Sequence, residues 1–449
     1  MENEEEITQP TRRRFLGGAA VLGIGGGILA ACGGDDDDEP TASGDDGSAA
    51  ASDGGSGGGD DIPSIKIGYV TPRTGPLAPF GEADGFVLSA MAAALGGNVE
   101  IVDKDAESDP ARAGEVTQEL ISDGVDVILA GGTPDISVPV AAACDLGEVP
   151  CITSVAPWQP HYLGTGGGLG PDFPEPPVAS AWNYHFFWGL EDIIENFIEL
   201  WEQSGADKVV GGMWPNDPDG NAWGDAAVGF PPALEAAGFT VVDAGRFDLA
   251  TQDYSAIISQ FKDAGVQIVS GVVPPPVFAT FQSQALQQDF NPPVITMGKA
   301  LLFPSAVETY PQGEGLTSEI WWTDRHPFTS SITGQSATEL AEAFEAETGA
   351  QWTQPLGFAH ALFEVAIDAA KRAGSNDKQA LIDAIGATSL DTVVGTIDFG
   401  AFPIPGVAKT PLVSGQWVAG DDYPLELAVN INSQLPGVAV DGDIAPMGG

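Results

Sequence analysis

The residues with the richest chemistry are few and scattered. Four histidines, His161, His185, His326 and His360, have no metal-ligand spacing, and no Cys–His cluster has the separations of a zinc site. No Gly-x-Ser-x-Gly elbow is present to activate a serine. Gly164–Gly170 is glycine-rich but lacks the dinucleotide fingerprint and follows no strand-to-helix junction, so it reads as a flexible loop. Asn216-Asp217-Pro218-Asp219-Gly220-Asn221 carries the acids and glycine of a calcium loop in a different order. It reads as a turn-rich cleft loop, with a bound Ca²⁺ as the alternative. Paired carboxylates occur throughout and discriminate nothing. These observations predict no catalytic residue, no metal and no cofactor. An exported hydrolase is the rival reading.

The chain has 16 basic and 64 acidic residues in 449, a formal charge of -48. Such a surface repels nucleic acid and anionic lipid, which closes the basic-patch functions. The spread of carboxylates over the folded region also suits a salt-rich or acidic habitat, beside the plainer reading of solubility. Thr11-Arg12-Arg13-Arg14-Phe15-Leu16, an apolar stretch to Ala31, and Leu29-Ala30-Ala31-Cys32 follow in order. They read as a twin-arginine export signal and a lipobox over 1–32, with Cys32 acylated. The apolar stretch is shorter than the roughly 20 residues of a membrane-spanning helix. Residues 33–61 lack large apolar side chains and read as a disordered acidic Gly/Ser tether. Export permits a disulfide between Cys144 and Cys151; two buried free thiols are the other reading.

Any site must be positioned by the body that follows. Residues 65–71 alternate as a strand, and a helix over 82–95 has Phe86, Ala90 and Ala93 on one face. Asp109-Pro110 opens the next helix, with Pro in its first turn. Val125–Ala130 is a near-continuous apolar run, the mark of a strand covered on both faces. A helix over 136–146 and a strand over 149–154 complete a doubly wound series. The alternation restarts at 190–204 and runs to 293–297, with a helix predicted over 222–237. Helices near 337–348, 356–373 and 376–386 follow, then a tail of strands and loops. The fold class is α/β: two doubly wound lobes with a ligand cleft between them.

Several segments carry a resemblance. Ile65-Lys66-Ile67-Gly68 with Thr74-Gly75-Pro76-Leu77-Ala78-Pro79-Phe80-Gly81 is similar to the opening strand and first ligand loop of the branched-chain amino acid-binding family. Asp105 with Asp109-Pro110, then Asp253-Tyr254-Ser255-Ala256-Ile257-Ile258 with Phe261-Lys262, and Thr392-Val393-Val394-Gly395 with Phe399 resemble later segments of it. The resemblance covers roughly residues 64 to 430. It implies the type I periplasmic-binding-protein fold with three crossings between lobes. The boundaries expected are 62–188 plus 322–393 for the N-terminal lobe, and 189–321 plus 394–449 for the C-terminal lobe. It also implies a monomer that captures a small polar solute (amino acid, amide or carboxylate-like) by lobe closure. Delivery would be to ABC permease subunits, from a lipid anchor on the outer face of the cytoplasmic membrane. A ligand-sensing receptor subunit is the alternative.

The resemblance further implies the ligand loops. They contain Phe80, Thr133, Asp135, Ser154, Ala156, Trp158, Trp223 and Lys299. Thr133 and Ser154 offer hydroxyl protons to a ligand carboxylate, or serve ordinary turns. Asp135 accepts from a ligand amine or caps a helix. Phe80, Trp158 and Trp223 stack on the solute, whereas Trp182, Trp188, Trp321 and Trp322 are assigned to core packing. Lys299 departs from the family, whose amino acid binders place an acid there. A lysine repels an ammonium and attracts an anion, unless it points to solvent.

Overall fold

The computed structural model describes residues 62–170, 173 and 175–447. The twin-arginine segment, Cys32 and the tether lie outside the described residues. Five parallel strands begin the body: β1 (Ile65–Thr71), β2 (Val99–Asp105), β3 (Val127–Gly131), β4 (Cys151–Ser154) and β5 (Asn183–Phe186). A second series follows: β6 (Val209–Met213), β7 (Thr240–Asp243), β8 (Ile268–Val273), β9 (Val294–Lys299) and β10 (Thr317–Ile320). The late strands are β11 (Ser389–Thr392), β12 (Gly395–Asp398), β13 (Val407–Ala408), β14 (Val413–Ala419) and β15 (Leu425–Ile431).

The sheets run β13-β5-β4-β3-β1-β2 and β15-β14-β10-β9-β8-β6-β7, with β11-β12 as a hairpin. Each of the two large sheets therefore changes direction beside its first strand, at β1 and at β6. That switch opens a crevice at the carboxyl ends of the flanking strands. β3 is buried along its whole length, as its unbroken apolar run requires. The Asp109 side chain accepts from the Arg112 N–H at 2.9 Å, and Pro110 fills the first helical position, which starts the helix Pro110–Ser122. Helix Pro355–Ala373 is apolar nearly all round and is buried accordingly, packed on β3 and β4.

Two expectations change, and one open pair of readings is decided. The helix expected over 222–237 is two helices, Pro218–Trp223 and Phe230–Ala236. Pro231 and Pro232 lack the N–H groups a helix interior needs, so the chain restarts there with them in a first turn. The third passage between sheets lies between Ala408 and Val413, later than the 393/394 boundary. Val393-Val394 is instead the turn of the β11–β12 hairpin, and β13 still pairs with β5. Cys144 and Cys151 form no disulfide; both are buried free thiols. Burial, with Cys151 alongside, pushes the Cys144 thiol up.

Candidate ligand cleft between the two sheets

The loops at the carboxyl ends of both sheets meet around a small cavity of about 20 Å³. Phe80, Thr133, Val155, Phe187 and Trp188 form its wall on the first-sheet side. Asp219, Trp223, Lys299, Glu319 and Trp321 form much of the opposite wall. The walls touch: helix Pro218–Trp223 packs against the helices Pro134–Gly147 and Trp158–Gly164. Ser305 also donates across the gap to Glu82.

Several buried polar atoms here lack a hydrogen-bond partner: Thr133 Oγ1, Asp219 Oδ1, and the indole Nε1 of Trp188, Trp223 and Trp321. A buried unpaired polar atom costs about 1–3 kcal/mol. Five of them on residues that line one cavity are therefore expensive unless something else bonds to them. Four are donors or hydroxyls and one is a carboxylate oxygen.

Lys299 is the electrostatic centre. It ends β9 in a left-handed conformation (φ 63) and is 5% exposed. Its ammonium lies 3.1 Å from Asp217 Oδ2 and 2.7 Å from Asp219 Oδ2. Burial alone would push it down, but these carboxylates hold it above the usual lysine value. Helix Pro218–Trp223 delivers the pair. Asp217 caps it, accepting from the Gly220 N–H at 2.6 Å, and Asp219 follows in its first turn. Desolvation pushes the Asp219 carboxyl up, with Lys299 opposing. Glu319, on β10, is pushed up to about 7 by burial, partly offset by hydrogen bonds including one from Ser318 Oγ at 3.1 Å. Lys299 is thus neither solvent-directed nor a free anion receptor. Its charge is already matched by aspartates.

The first wall is held from behind by a chain of neutral groups. The Ala156 carbonyl can only accept, so His185 Nε2 donates to it at 2.8 Å. His185 Nδ1 then accepts from Thr153 Oγ1 at 2.9 Å, and Thr153 Oγ1 accepts from Asn183 Nδ2 at 3.0 Å. Asn183 Oδ1 accepts from His161 Nε2 at 2.8 Å, and His161 Nδ1 accepts from Ser137 Oγ at 2.9 Å. The two imidazoles stack with centroids 4.0 Å apart. Burial pushes His161 down to about 4; burial and His161 itself hold His185 well below its usual value. Ser137 sits one turn into the helix that Thr133 begins. The chain therefore ties that helix to the loop after β4.

Of the sequence-predicted residues, Phe80, Thr133, Trp223 and Lys299 line the cavity. Asp135 is half-buried beside the charged group, its carboxyl raised by burial and lowered by Lys299. Three others face elsewhere. Ser154 Oγ donates to the Phe186 carbonyl at 2.6 Å. Ala156 serves the histidine chain. Trp158 packs on Tyr162 and Phe402 and donates to Glu191 Oε1 at 3.1 Å. Conversely, Trp188 and Trp321, assigned to core packing, line the cavity, and the N–H of each has no partner. Glu319 and Asp219 carried no signal of their own in so acidic a chain. The Asp217-Pro218-Asp219-Gly220 turn was the one legible cue.

A model of the periplasmic binding protein family matches residues 64–421. The chain belongs to this family. Members similar to it include the Leu/Ile/Val-binding protein homolog 6 of Brucella abortus (strain 2308), 28% identical over 225 residues, 47% of this chain and 51% of that protein. The chain thus spans about half the length of the curated relatives it matches. Among solved structures, the leucine-binding protein LivK of Thermotoga maritima superposes with a TM-score of 0.66 at 20% identity, covering 82% of this chain and 99% of that one. A solute-binding protein from Rhodopseudomonas palustris BisB5, in complex with 3,4-dihydroxybenzoic acid, gives 0.65 at 19% identity over 84% and 98%. LivJ from Streptococcus pneumoniae, in complex with isoleucine, gives 0.63 at 18% identity over 82% and 99%. At these identities the likeness carries the fold, which is the two-lobed type I arrangement. Among the described residues no helix is long and apolar enough to cross a membrane.

Proposed function

We propose that this periplasmic binding protein captures one small polar solute between its lobes and delivers it, unchanged, to an ABC importer. The observation that carries this reading is the set of orphaned polar atoms on the residues that line a cavity between two sheet ends. A solute bonding to them would repay their desolvation, and closure would place aromatic walls around it. The relatives named for Leu/Ile/Val binding, and the neighbours holding isoleucine or a hydroxybenzoate, favour a compact carboxylate-bearing solute. Export by the twin-arginine signal and acylation at Cys32 would keep the body near its permease. The reading needs no catalytic group, metal or cofactor.

The test is a thermal-shift screen of the full chain against amino acids, amides, short carboxylates, methylamines and polyols, at several salt concentrations. A ligand bound only by the folded state raises the melting temperature, by about 2.7 kcal/mol of stabilisation at a hundredfold excess over Kd. Small-angle scattering should then report a more compact particle with the hit. Turnover of the hit, or a screen with no shift at all, would overturn the reading.

A further inference from the structure

The cleft's chemistry narrows the solute class, and this step rests on the solute-binding reading above. We propose that the solute carries a methyl-substituted ammonium, seated in an aromatic box whose second-lobe wall has surplus negative charge, with an acceptor group, most simply a carboxylate, on the Trp188 N–H and the Thr133 hydroxyl of the first-sheet wall.

Five rings line one small cavity: Phe80, Phe187, Trp188, Trp223 and Trp321. They buttress one another. Phe80 stacks on Trp321 at 6.1 Å, Phe187 meets Trp321 edge-on at 5.2 Å, and Phe187 and Trp188 are tilted at 4.8 Å. Phe230 stacks on Trp223 at 4.7 Å and holds that indole in place. Aromatic faces are electron-rich, and a cage of them is the natural receptor for a cation too large and too methylated to hydrogen-bond.

The charges point the same way. The one ammonium at the cavity, Lys299, already faces Asp217 and Asp219, and Glu319 adds a third carboxylate. An anion placed against this wall would meet net negative charge. A primary ammonium needs three acceptors. Lys299 already takes Asp217 Oδ2 and Asp219 Oδ2, and the one orphaned carboxylate oxygen is Asp219 Oδ1. A leucine-like ammonium would therefore compete with Lys299 for the carboxylates of this wall. A trimethylammonium brings no N–H group and still draws on the negative wall. At the other end the surplus is of donors. On the first-sheet wall Trp188 has an unpaired N–H and Thr133 an unpaired hydroxyl. These suit a carboxylate or a hydroxyl oxygen. The cavity of about 20 Å³ calls for a compact solute that holds the two walls further apart than they stand here.

Calorimetry of the full chain with glycine betaine, choline, leucine and 4-hydroxybenzoate tests this. Glycine betaine or choline should bind at least roughly tenfold tighter than leucine, the equivalent of about 1.4 kcal/mol. Betaine ahead of choline assigns the Trp188 and Thr133 donors to a carboxylate, and the reverse assigns them to a hydroxyl. Glu319→Gln, which keeps shape and removes charge, should weaken the methylammonium probes roughly tenfold or more. Their affinity should also fall as pH drops through about 7 in the parent, and less so in the variant. Tighter binding of leucine or 4-hydroxybenzoate would overturn the inference and leave solute capture standing. Silence of both methylammonium probes would overturn it too. Solute capture itself would then be decided by the wider screen.

Discussion

The two walls of the cleft solve the burial of polar groups in opposite ways. The first-sheet wall is backed by Ser137, His161, Asn183, Thr153 and His185, every one neutral and each handing its hydrogen bond to the next until the Ala156 carbonyl. The second-sheet wall concentrates Lys299, Asp217, Asp219 and Glu319, with a carboxylate oxygen left over. A satisfied neutral network fixes shape, whereas an incompletely matched charged one waits for a partner. The lesson is a division of labour. One wall holds a preformed surface and the other sets what the surface will accept.

The largest effect should come from breaking the charged wall. Lys299→Met leaves Asp217 and Asp219 buried without their cation, which should destabilise the fold by about 3–5 kcal/mol in urea titration. Losses well under that would mean the aspartates escape by protonation. Breaking the neutral wall should cost less. His185→Phe strands the Ala156 carbonyl, for about 1–3 kcal/mol, while the Thr153 hydroxyl keeps Asn183. It should also weaken solute binding without altering the order of preference among solutes.

Acid separates the walls by sign. The histidines have folded values below their ordinary 6.5, His161 at about 4 and His185 lower still. The unfolded chain therefore takes up protons first. Their share of stability is present above 6.5 and is lost as pH falls toward 4. Glu319, like the buried Glu364 of helix Pro355–Ala373, is raised to about 7 and acts oppositely. Its share is present below the ordinary value of 4.5 and is lost as pH rises through 7. The double variant His161→Gln/His185→Gln should flatten the acid-side loss of melting temperature, while Glu319→Gln should raise stability above pH 7.

Smaller effects should come from the contact between lobes. Ser305→Ala removes the bond to Glu82 and should weaken solute affinity by about 0.5–1.5 kcal/mol, with little change in melting temperature of the solute-free protein. Cys144 and Cys151 should resist thiol reagents in the native protein and react on unfolding, because both are buried and unbridged.

Much of the architecture was legible because its signals are local. The apolar run of β3, the Asp109-Pro110 start and the all-round apolar helix Pro355–Ala373 each state their burial in a few consecutive residues. The break between Trp223 and Phe230 was legible too, in Pro231-Pro232, but apolar periodicity overrode it. β5 and β10, four residues each, are too short to show a period.

The sequence by itself determined two doubly wound halves, an acidic surface, and which loops end the strands. Those follow from periodicity and composition, which need only neighbours in the chain. Tertiary structure alone decided that Lys299 is matched by Asp217 and Asp219, that Trp188 and Trp321 line the cavity, and that Ser154 turns to the Phe186 carbonyl. Those partners lie tens of residues apart, and a side chain's charge or hydroxyl acquires its role from what folding sets beside it.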